Sequence, residues 1–381
     1  MSELSYLEKL LDGVEVEWLP LGEITKYEQP TKYLVKAKDY HDTYTIPVLT
    51  AGKTFILGYT NETHGIYQAS KAPVIIFDDF TTANKWVDFD FKAKSSAMKM
   101  VTSCDDNKTL LKYVYYWLNT LPSEFAEGDH KRQWISNYSQ KKIPIPCPDN
   151  PEKSLAIQSE IVRILDKFTA LTAELTAELN MRKKQYNYYR EQLLSFKEGE
   201  VEWKTLGEVA QFKRGTAITQ KQTTPGEIPV VANGPIPTYF HSESNRQGET
   251  IVIARSGAYA GYVSFWDQPI FLTDAFSVHS DLKIVKPKFI YHVLQNKQEH
   301  IHAMKKGAGV PHVRVKEFET YDIPIPPITE QERIVSILDK FDTLTNSITE
   351  GLPREIELRQ KQYEYYRDLL FSFPKPETVS K

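Results

Sequence analysis

The strongest pattern of apolar positions along the chain is a heptad repeat that occurs in two separate segments. In the first segment, apolar residues recur at alternating steps of four and three residues from Ile161 to Leu193, which is typical of a coiled-coil helix. The second segment starts in the same way at Ile334, but its register then shifts near Gly351 and Pro353. A register shift of about four residues unwinds a coiled coil locally, so we expect a kink or an interruption there.

The shared heptad favours packing of the two helices against each other over packing of each helix on its own globular region. The first helix would be a rod of roughly 60 Å. The residues that we assign to the coiled-coil seam and to partner docking are Leu165, Phe168, Leu175, Tyr186, Tyr189, Leu338, Phe341, Tyr363 and Tyr366.

Shorter apolar patterns predict strands and one buried-face helix in each region that precedes a long helix. Residues 73–77 and 250–254 are runs of β-branched and apolar residues, and residues 85–91 alternate between polar and apolar with period two, so all three are predicted strands. Residues 112–119 and 288–295 have the helical apolar period. Each globular region therefore mixes α and β structure.

Most of these patterns occur twice, in the same order along the chain. We therefore infer an internal duplication. The Ile-Pro-Ile-Pro copies are expected to end both strand and helix, since proline has no amide N–H. The matching segments are 15–18 and 200–203, 47–52 and 229–234, 112–115 and 288–291, 143–146 and 323–326, 164–168 and 337–341, and 185–190 and 362–367.

The duplication predicts a mixed α+β fold with two globular domains, two long helices and pseudo-twofold symmetry. The stretches 53–105 and 235–280 resemble each other little, so the two copies are expected to present different surfaces. The chain also begins part-way through a unit, so its two ends should lie close together. The predicted segments are a first domain over 1–152, a central helix over 153–197, a second domain over 198–327, a C-terminal helix over 328–373 and a tail over 374–381.

Composition and charge change this picture only slightly. A net charge of −3 and a pI of about 6.3 weigh against a self-sufficient nucleic-acid binder, although local clusters decide such contacts. Cys104 and Cys147 are far apart, which fits a reducing cytoplasm and predicts no zinc site. No apolar run is long enough for a membrane span, and the first residues do not form a signal peptide.

Motifs for catalysis are missing from the sequence. The segment 51–54 resembles the end of a phosphate-binding loop, but Pro47 stands where that loop needs glycine. The motif with which adenine methyltransferases hold a flipped base does not occur. The pair Asp78 and Asp79 is more consistent with a turn or cap than with a metal seat, and His300 and His302 with a surface helix. We therefore expect neither an enzyme nor a metal site.

Polar and basic clusters at matching places in the two copies are better signals, and they favour contact with DNA. Arginine, asparagine and glutamine can read base edges, while lysine, serine and backbone amides hold phosphates. The candidate DNA-binding residues are Thr81, Thr82, Asn84, Lys85, Lys92, Lys94, Ser96, His130, Lys131, Arg132, Lys213, Arg214, Asn233, Arg255, Ser256, Tyr259, Lys305, Lys306, His312 and Arg314.

The repeated Trp-x-x-Leu-Gly-Glu start, the Ile-Pro-Ile-Pro stop and the segments 158–168 and 330–341 that follow it resemble the specificity subunit of type I restriction–modification enzymes. The run 78–82 and the run 255–257 also resemble stretches of that family's recognition domains. The resemblance covers essentially the whole chain, and the order of its parts makes it specific.

The resemblance implies a non-catalytic subunit that reads a split target in double-stranded DNA, with one recognition domain for each half. The two helices would form an antiparallel coiled coil. This coiled coil would set the unread spacer and dock two modification subunits, which bind S-adenosylmethionine and methylate adenine. Restriction subunits, which use ATP and Mg²⁺, would join that core in the cytoplasm. This chain would hold no cofactor. The alternatives are an autonomous bipartite DNA-binding regulator and a coiled-coil adaptor whose two domains bind protein or glycan.

Overall fold

The computed structural model describes residues 6–36, 39–50, 54–122, 132–306 and 310–375. The chain divides into two compact units. The first contains residues 1–174 together with 357–381, and the second contains residues 175–356. Each unit is described by itself below.

The globular part of the first unit contains nine strands and four short helices among the described residues. The strands are β1 (Val16–Pro20), β2 (Thr25–Glu28), β3 (Ile46–Leu49), β4 (Ile56–Thr60), β5 (Val74–Asp78), β6 (Asn84–Val87), β7 (Lys92–Ala93), β8 (Met98–Ser103) and β9 (Lys142–Pro146). The helices are α1 (Tyr6–Leu11), α2 (Leu21–Ile24), α3 (Leu111–Leu118) and α4 (Gln133–Ser136). The long helix α5 (Pro151–Leu193) follows, and it passes from the first unit to the second at residue 175.

The second unit repeats this order of elements. Its strands are β10 (Glu202–Thr205), β11 (Ala210–Arg214), β12 (Ile228–Val231), β13 (Tyr239–His241), β14 (Glu249–Ala254), β15 (Val263–Asp267), β16 (Phe271–Leu272), β17 (Ala275–Ser280) and β18 (Asp322–Ile325). Its helices are α6 (Leu206–Val209), α7 (Pro287–Asn296), α8 (Gln298–Ala303), α9 (Val315–Glu319) and α10 (Ile328–Asn346). The final helix α11 (Gly351–Leu370) returns to the first unit at residue 357.

The two units have the same sheet topology, strand for strand. The four-stranded sheets have the order β2-β8-β5-β6 and β11-β17-β14-β15, and the three-stranded sheets β4-β3-β7 and β13-β12-β16. In each three-stranded sheet the central strand pairs antiparallel with one neighbour and parallel with the other. The stretches 53–105 and 235–280, which differ in sequence, therefore carry one common topology.

The central strands β5 and β14 explain why their sequences are continuous apolar runs. All five residues of β5 are buried, and five of the six in β14. A strand that is covered on both faces has no polar face to show. The strands predicted at 73–77 and 250–254 and the helices predicted at 112–119 and 288–295 are confirmed within one or two residues. The strand predicted at 85–91 is shorter, because β6 ends at Val87.

The expectation that Ile-Pro-Ile-Pro ends a strand is wrong. Residues 142–146 form β9, which pairs antiparallel with β1, so that Trp18 faces Pro144. Residues 322–325 form β18, which pairs with β10 in the same way. Each sheet has only two strands, so the proline nitrogens can face away from the partner strand, where no donor is needed.

The two ends of the described chain share one core in the first unit. Leu7 and Leu11 of α1 belong to the same buried cluster as Leu370 and Phe371 at the end of α11. The indole Nε1 of Trp18 also donates a hydrogen bond of 2.9 Å to the carbonyl oxygen of Pro374. The expected closeness of the ends is confirmed.

A buried glutamine connects each long helix to the globular part of its unit. Gln158 on α5 accepts the amide of Leu110 at 2.9 Å and donates to the carbonyl of Lys108 at 3.0 Å. Gln331 on α10 accepts the amide of Lys286 at 2.9 Å and donates to the carbonyl of Ile284 at 3.0 Å. Both side chains are fully buried. The duplication therefore includes the contacts that precede α3 and α7.

The predicted interruption of the second long helix is present just before Gly351. Helix α10 ends at Asn346, residues 347–350 are not helical, and α11 starts at Gly351, whose φ is +79°. Glycine adopts this left-handed conformation without steric cost. Pro353 lies in the first turn of α11, where its missing N–H costs no hydrogen bond.

The seam residues divide into two groups, so mutual pairing of the helices is only part of their role. Leu165 and Leu338 are fully buried in the globular cores of their own units. Further along, Phe168 of α5 stacks on Tyr366 of α11 with ring centroids 5.4 Å apart, and Tyr189 of α5 stacks on Phe341 of α10 at 5.6 Å. Tyr186 also stacks on Phe341, Tyr363 lies against Tyr116, and Leu175 is half-buried.

Candidate nucleic-acid interface

One end of the four-stranded sheet gathers polar side chains in the second unit. Strands β11 and β14 both run antiparallel to β17, which lies between them, so they are parallel to each other. Their carboxyl ends therefore meet the start of β17. Arg214 ends β11, Arg255 follows β14 and Asp274 precedes β17. The topology of the sheet, rather than closeness in sequence, brings these three residues to one edge.

Asn233 organises this edge. Its Oδ1 accepts hydrogen bonds from the amides of Arg255 at 2.7 Å and of Ser256 at 3.2 Å. Its Nδ2 donates to Asp274 Oδ2 at 2.7 Å and to Ser256 Oγ at 3.1 Å. Four bonds from one side chain hold the start of the 255–261 loop against the start of β17, because an amide can donate and accept at the same time.

Lys305 and residues 310–314 pack against the same loop. The amide of Val313 donates to the carbonyl of Arg255, and the amide of Gly257 donates to the carbonyl of Pro311, both at 2.9 Å. Lys305 Nζ donates to the carbonyl of Ala258 at 3.1 Å. The fold thus brings together most of the candidates in this unit. Lys213 and Arg214 lie on β11, which ends at this edge. The candidates in or beside the two packed segments are Asn233, Arg255, Ser256, Tyr259, Lys305, Lys306, His312 and Arg314.

Two of these candidates also take part in local structure. Lys306 Nζ forms an ion pair of 2.6 Å with Glu317, and the amide of Arg314 donates to Glu317 at 3.1 Å at the start of α9. Burial raises the pKa of the Glu317 carboxyl, but the hydrogen bonds from Lys306 and Arg314 outweigh it and hold that pKa below its usual value. The carboxylate therefore stays ionised beside the loop.

The equivalent edge of the first unit is built around Asp78 and Asp79. Asp78 accepts the amides of Phe80 and Thr81 and the hydroxyl of Thr81, so it caps the turn after β5. Asp79 is fully buried and accepts the amide of Trp134 at 2.8 Å. Its carboxylate pairs with Lys99 at 3.3 Å and with Arg132 at 3.7 Å. The turn interpretation of this acidic pair is confirmed for Asp78.

Two candidates in the first unit do not face solvent. Lys92 is 2% exposed, and its Nζ donates to the carbonyl of His64 at 2.5 Å and pairs with Glu62 at 3.1 Å. Thr82 is also buried, with a φ of +61° in the turn after β5. Neither side chain can reach a duplex while the unit is folded, so assigning them as surface contacts was wrong.

The other candidates of this unit remain accessible to different degrees. Lys85, Ser96 and Arg132 are exposed, and Thr81, Asn84 and Lys94 are half-buried. Residues 81–85 also line a cavity of about 300 Å³ together with Leu118 and Tyr138. His130 and Lys131 lie outside the described residues.

Two acids hold these edges together. Sequence reasoning named Asp79 only as part of a turn or cap, and it missed Asp274. Both directly adjoin a strand of the four-stranded sheet, since Asp79 follows β5 and Asp274 precedes β17. Acidic residues were not sought as parts of a DNA-binding edge. A search for an acid beside each predicted strand would have included Asp79 but not Asp274, because no strand was predicted over residues 275–280.

A second matched cluster lies at the junction with the long helices. In the first unit, Asp166 of α5 pairs with Lys112 at 3.0 Å and accepts the hydroxyl of Tyr116. In the second unit, Asp339 of α10 pairs with Lys288 at 2.7 Å and with His292 at 2.8 Å. Burial opposes ionisation of Asp339, yet the bonds from His292 and Lys288 hold its pKa below the usual value. The repeated Ile-Leu-Asp-Lys-Phe segment therefore supplies an anchor for the short helix before it.

Pairs of neighbouring tyrosines stand on the surface of each long helix. Tyr188 and Tyr189 on α5 are 59% and 45% exposed, and Tyr365 and Tyr366 on α11 are 64% and 41% exposed. Exposed aromatic side chains in a cluster often mark a contact surface. The matching positions of the two pairs within the duplication make two similar surfaces.

Neither a metal cluster nor a membrane-spanning helix occurs in the part of the chain that the structure describes. No group of three or more histidine, cysteine or acidic residues there is arranged to hold a metal ion. No helix there is both long and apolar enough to cross a membrane.

Comparison with known proteins gives a consistent result over the whole chain. The chain is 71% identical to the EcoR124I/EcoR124II specificity subunit of Escherichia coli over the full length of both proteins. It is 37% identical to the EcoprrI specificity subunit of the same species over 92% of this chain and 93% of that one. A putative type I specificity subunit of Haemophilus influenzae is 33% identical over 97% and 98%.

The fold agrees with a solved structure, and a family model matches both units. The crystal structure of a type I restriction–modification S subunit from M. genitalium covers 96% of this chain and 98% of its own, with a TM-score of 0.68 at 17% identity. The family model described as the type I restriction modification DNA specificity domain matches residues 13–182 and again residues 198–358. The chain therefore belongs to the family of type I restriction–modification specificity subunits and carries its DNA specificity domain twice.

Proposed function

We propose that this chain selects the DNA sequence on which a type I restriction–modification complex acts, and that it performs no chemistry itself. The observation that carries the proposal is one sheet topology built twice with different side chains at the same edge. A protein that reads two different half-sites from one scaffold needs this combination. The proposed recognition domains are residues 1–152 and 198–327, and the proposed helical segments are 153–197 and 328–373, followed by a tail over 374–381.

We call the edge of the four-stranded sheet that carries the candidates in each unit its recognition edge. Both recognition edges would contact double-stranded DNA through the accessible candidates. In the second unit these are the residues around Arg255, together with Lys213 and Arg214 on β11. In the first unit they are Arg132, Lys85, Lys94 and Ser96, with Thr81 and Asn84 beside them. Amide and hydroxyl groups of these loops can bond phosphates, and the arginines can also bond base edges.

The helices would dock the partner subunits. Two exposed tyrosine pairs at matching positions suit two copies of one partner, because each copy would meet a similar surface. We assign these partners as two modification subunits, which carry S-adenosylmethionine and methylate adenine. Restriction subunits that use ATP and Mg²⁺ would join the same assembly, in the cytoplasm. This chain would need no cofactor of its own.

Methylome sequencing of the host with and without this gene tests the proposal. We expect a bipartite adenine-methylation motif that disappears with the gene and returns on complementation. An unchanged methylome would contradict the proposal and leave the regulator or the adaptor. Purified alone, the chain should transfer no methyl group from S-adenosylmethionine to DNA, and measurable turnover would also contradict it.

A further inference from the structure

An arginine with a half-exposed side chain lies beside an aspartate at the recognition edge of both units. Arg132 Nη1 is 3.7 Å from Asp79 Oδ2, and its side chain is 49% exposed. Arg255 Nη1 is 3.5 Å from Asp274 Oδ1, and its side chain is 48% exposed. The distances and the exposures of the two arginines are nearly the same, whereas the Asp79 side chain is fully buried and that of Asp274 is 52% exposed.

The two pairs are built from different positions of the fold. In the first unit the acid follows the central strand β5 and the arginine precedes α4. In the second unit the arginine follows the equivalent strand β14, and the acid precedes β17. The pair is therefore not a copied pair of residues. The same arrangement arises at the same edge by two routes, which points to a shared task at that edge.

We propose that Arg132 and Arg255 each read one guanine in the major groove, one in each half-site, and that Asp79 and Asp274 are positioning residues that orient them. This inference rests on the proposed DNA-reading function. It assigns at least one G·C pair to each half of the target and gives the two acids a role that neither the sequence motifs nor the comparisons supply.

The chemistry of the guanidinium group supports the assignment. A guanidinium carries five N–H donors in a rigid plane, so one edge can face a carboxylate while another edge bonds O6 and N7 of guanine. An arginine whose guanidinium plane is already fixed before binding loses less side-chain entropy on binding than an arginine that moves freely. Reading a base needs this orientation, whereas holding a phosphate needs only charge.

Each acid is itself held in place by further bonds. Asp274 accepts from Asn233 at 2.7 Å and from Ser256 at 3.2 Å. Asp79 is fully buried, accepts from the amide of Trp134 and pairs with Lys99. A carboxylate that is restrained in this way fixes the arginine beside it more firmly than two mobile surface side chains would fix each other.

The test uses the full chain assembled with its modification subunits and a duplex that contains the motif found by methylome sequencing. Each guanine is replaced in turn by 7-deazaguanine, which lacks the N7 acceptor. We expect one guanine in each half-site whose replacement lowers the affinity by about 2- to 10-fold, since one of the two hydrogen bonds of the bidentate contact is lost. The R255A variant should lose this sensitivity in one half-site only, and R132A in the other only.

Conservative variants separate positioning from charge. R132K keeps the charge but cannot form the bidentate contact, so it should lose discrimination at the same guanine as R132A while keeping more of the total affinity. D274N keeps the shape of Asp274 and should weaken discrimination at the guanine that Arg255 reads. Its loss should be smaller than that of R255A, and the double variant should lose no more than R255A alone. Lys283→Ala, which removes a cation beyond the opposite end of β17, is the matched control and should leave discrimination unchanged.

Three results would overturn the inference. One is a half-site without guanine in a complex that still binds its target specifically. Another is an equal loss of affinity of R255A and R132A for all duplexes, which would make the arginines phosphate contacts. The third is a D274N effect at a cytosine instead of the guanine, which would make Asp274 a base reader. A complex with no sequence preference at all would instead contradict the proposed function.

Discussion

Asp79 and Arg255 directly follow equivalent central strands, yet they carry opposite charges. Asp79 is fully buried, and it accepts hydrogen bonds from the segment 132–134, which it holds against this edge of the sheet. Arg255 is exposed; neighbouring segments hold its backbone, and its guanidinium lies 3.5 Å from Asp274. At this edge of the four-stranded sheets, the two copies have kept the same backbone position but carry side chains of different chemistry.

The junctions with the long helices behave in the opposite way. Lys112 and Lys288 meet Asp166 and Asp339 with similar geometry, and Gln158 and Gln331 make matching bonds to the backbone. The difference between the sheet edges and the helix junctions shows which parts of each unit vary between the two copies. The edge that we assign to DNA varies between the copies, whereas the contacts that attach each unit to its helix stay the same.

The largest expected effect comes from removing the buried glutamine of one junction. In Q331A, the amide of Lys286 and the carbonyl of Ile284 lose their partner inside the protein. An unsatisfied buried group costs about 1–3 kcal/mol, so we expect a loss of about 2–5 kcal/mol in the free energy of unfolding, measured by urea denaturation. Q158A should cost a similar amount if the two junctions are equivalent, and a nearly neutral Q158A would break the comparison.

A smaller effect is expected for the exposed tyrosines. Tyr188→Ala and Tyr365→Ala should each weaken binding of the modification subunit by about 1–3 kcal/mol, as aromatic contacts at an interface do. Both side chains are more than two-fifths exposed, so the thermal stability of the isolated chain should change little. Calorimetric titration with the modification subunit measures the binding. If only one variant weakens it, the two surfaces are not alike.

The smallest effect concerns acid stability at the second junction. Burial raises the pKa of the Asp339 carboxyl, but the hydrogen bonds from His292 and Lys288 outweigh this effect and hold that pKa below its usual value in the folded protein. A depressed carboxyl pKa adds stability that is complete above the unfolded pKa and disappears as the pH falls through the folded pKa. D339N should therefore lower the stability on the order of 1 kcal/mol near pH 7 and flatten the fall in stability below about pH 5. Circular dichroism melts across that range would show it, and an unchanged slope would argue against the assignment.

Apolar periodicity was enough to predict the duplication, the central strands, the buried-face helices and the long helices. These features depend on local sequence, because burial of one face or of both faces leaves a period in the chain. The interruption near Gly351 was predictable for the same reason, since glycine and proline act on the backbone where they stand.

The recognition edges were only partly predictable, since they depend on contacts between distant residues. Lys92 looked like a surface cation, but it points inward because Glu62 and the carbonyl of His64, in the loop after β4, lie beside it. Asp274 gained its place from Asn233, which is 41 residues away in sequence. The common strand order of the two variable stretches could not be read from their sequences either, because different apolar residues can fill the same strand positions.

The prolines of β9 have a consequence for how the protein behaves at high concentration. A two-stranded ribbon leaves an open row of backbone groups on its outer side, and such rows can recruit a strand from another molecule. Pro144 and Pro146 remove donors from β9, and the carbonyl of Pro144 is already occupied by the hydroxyl of Tyr113 at 2.7 Å. Pro324 occupies the matching place in β18. Each proline-containing strand can therefore pair with its partner strand in the same unit, while its outer side is a poor template for aggregation.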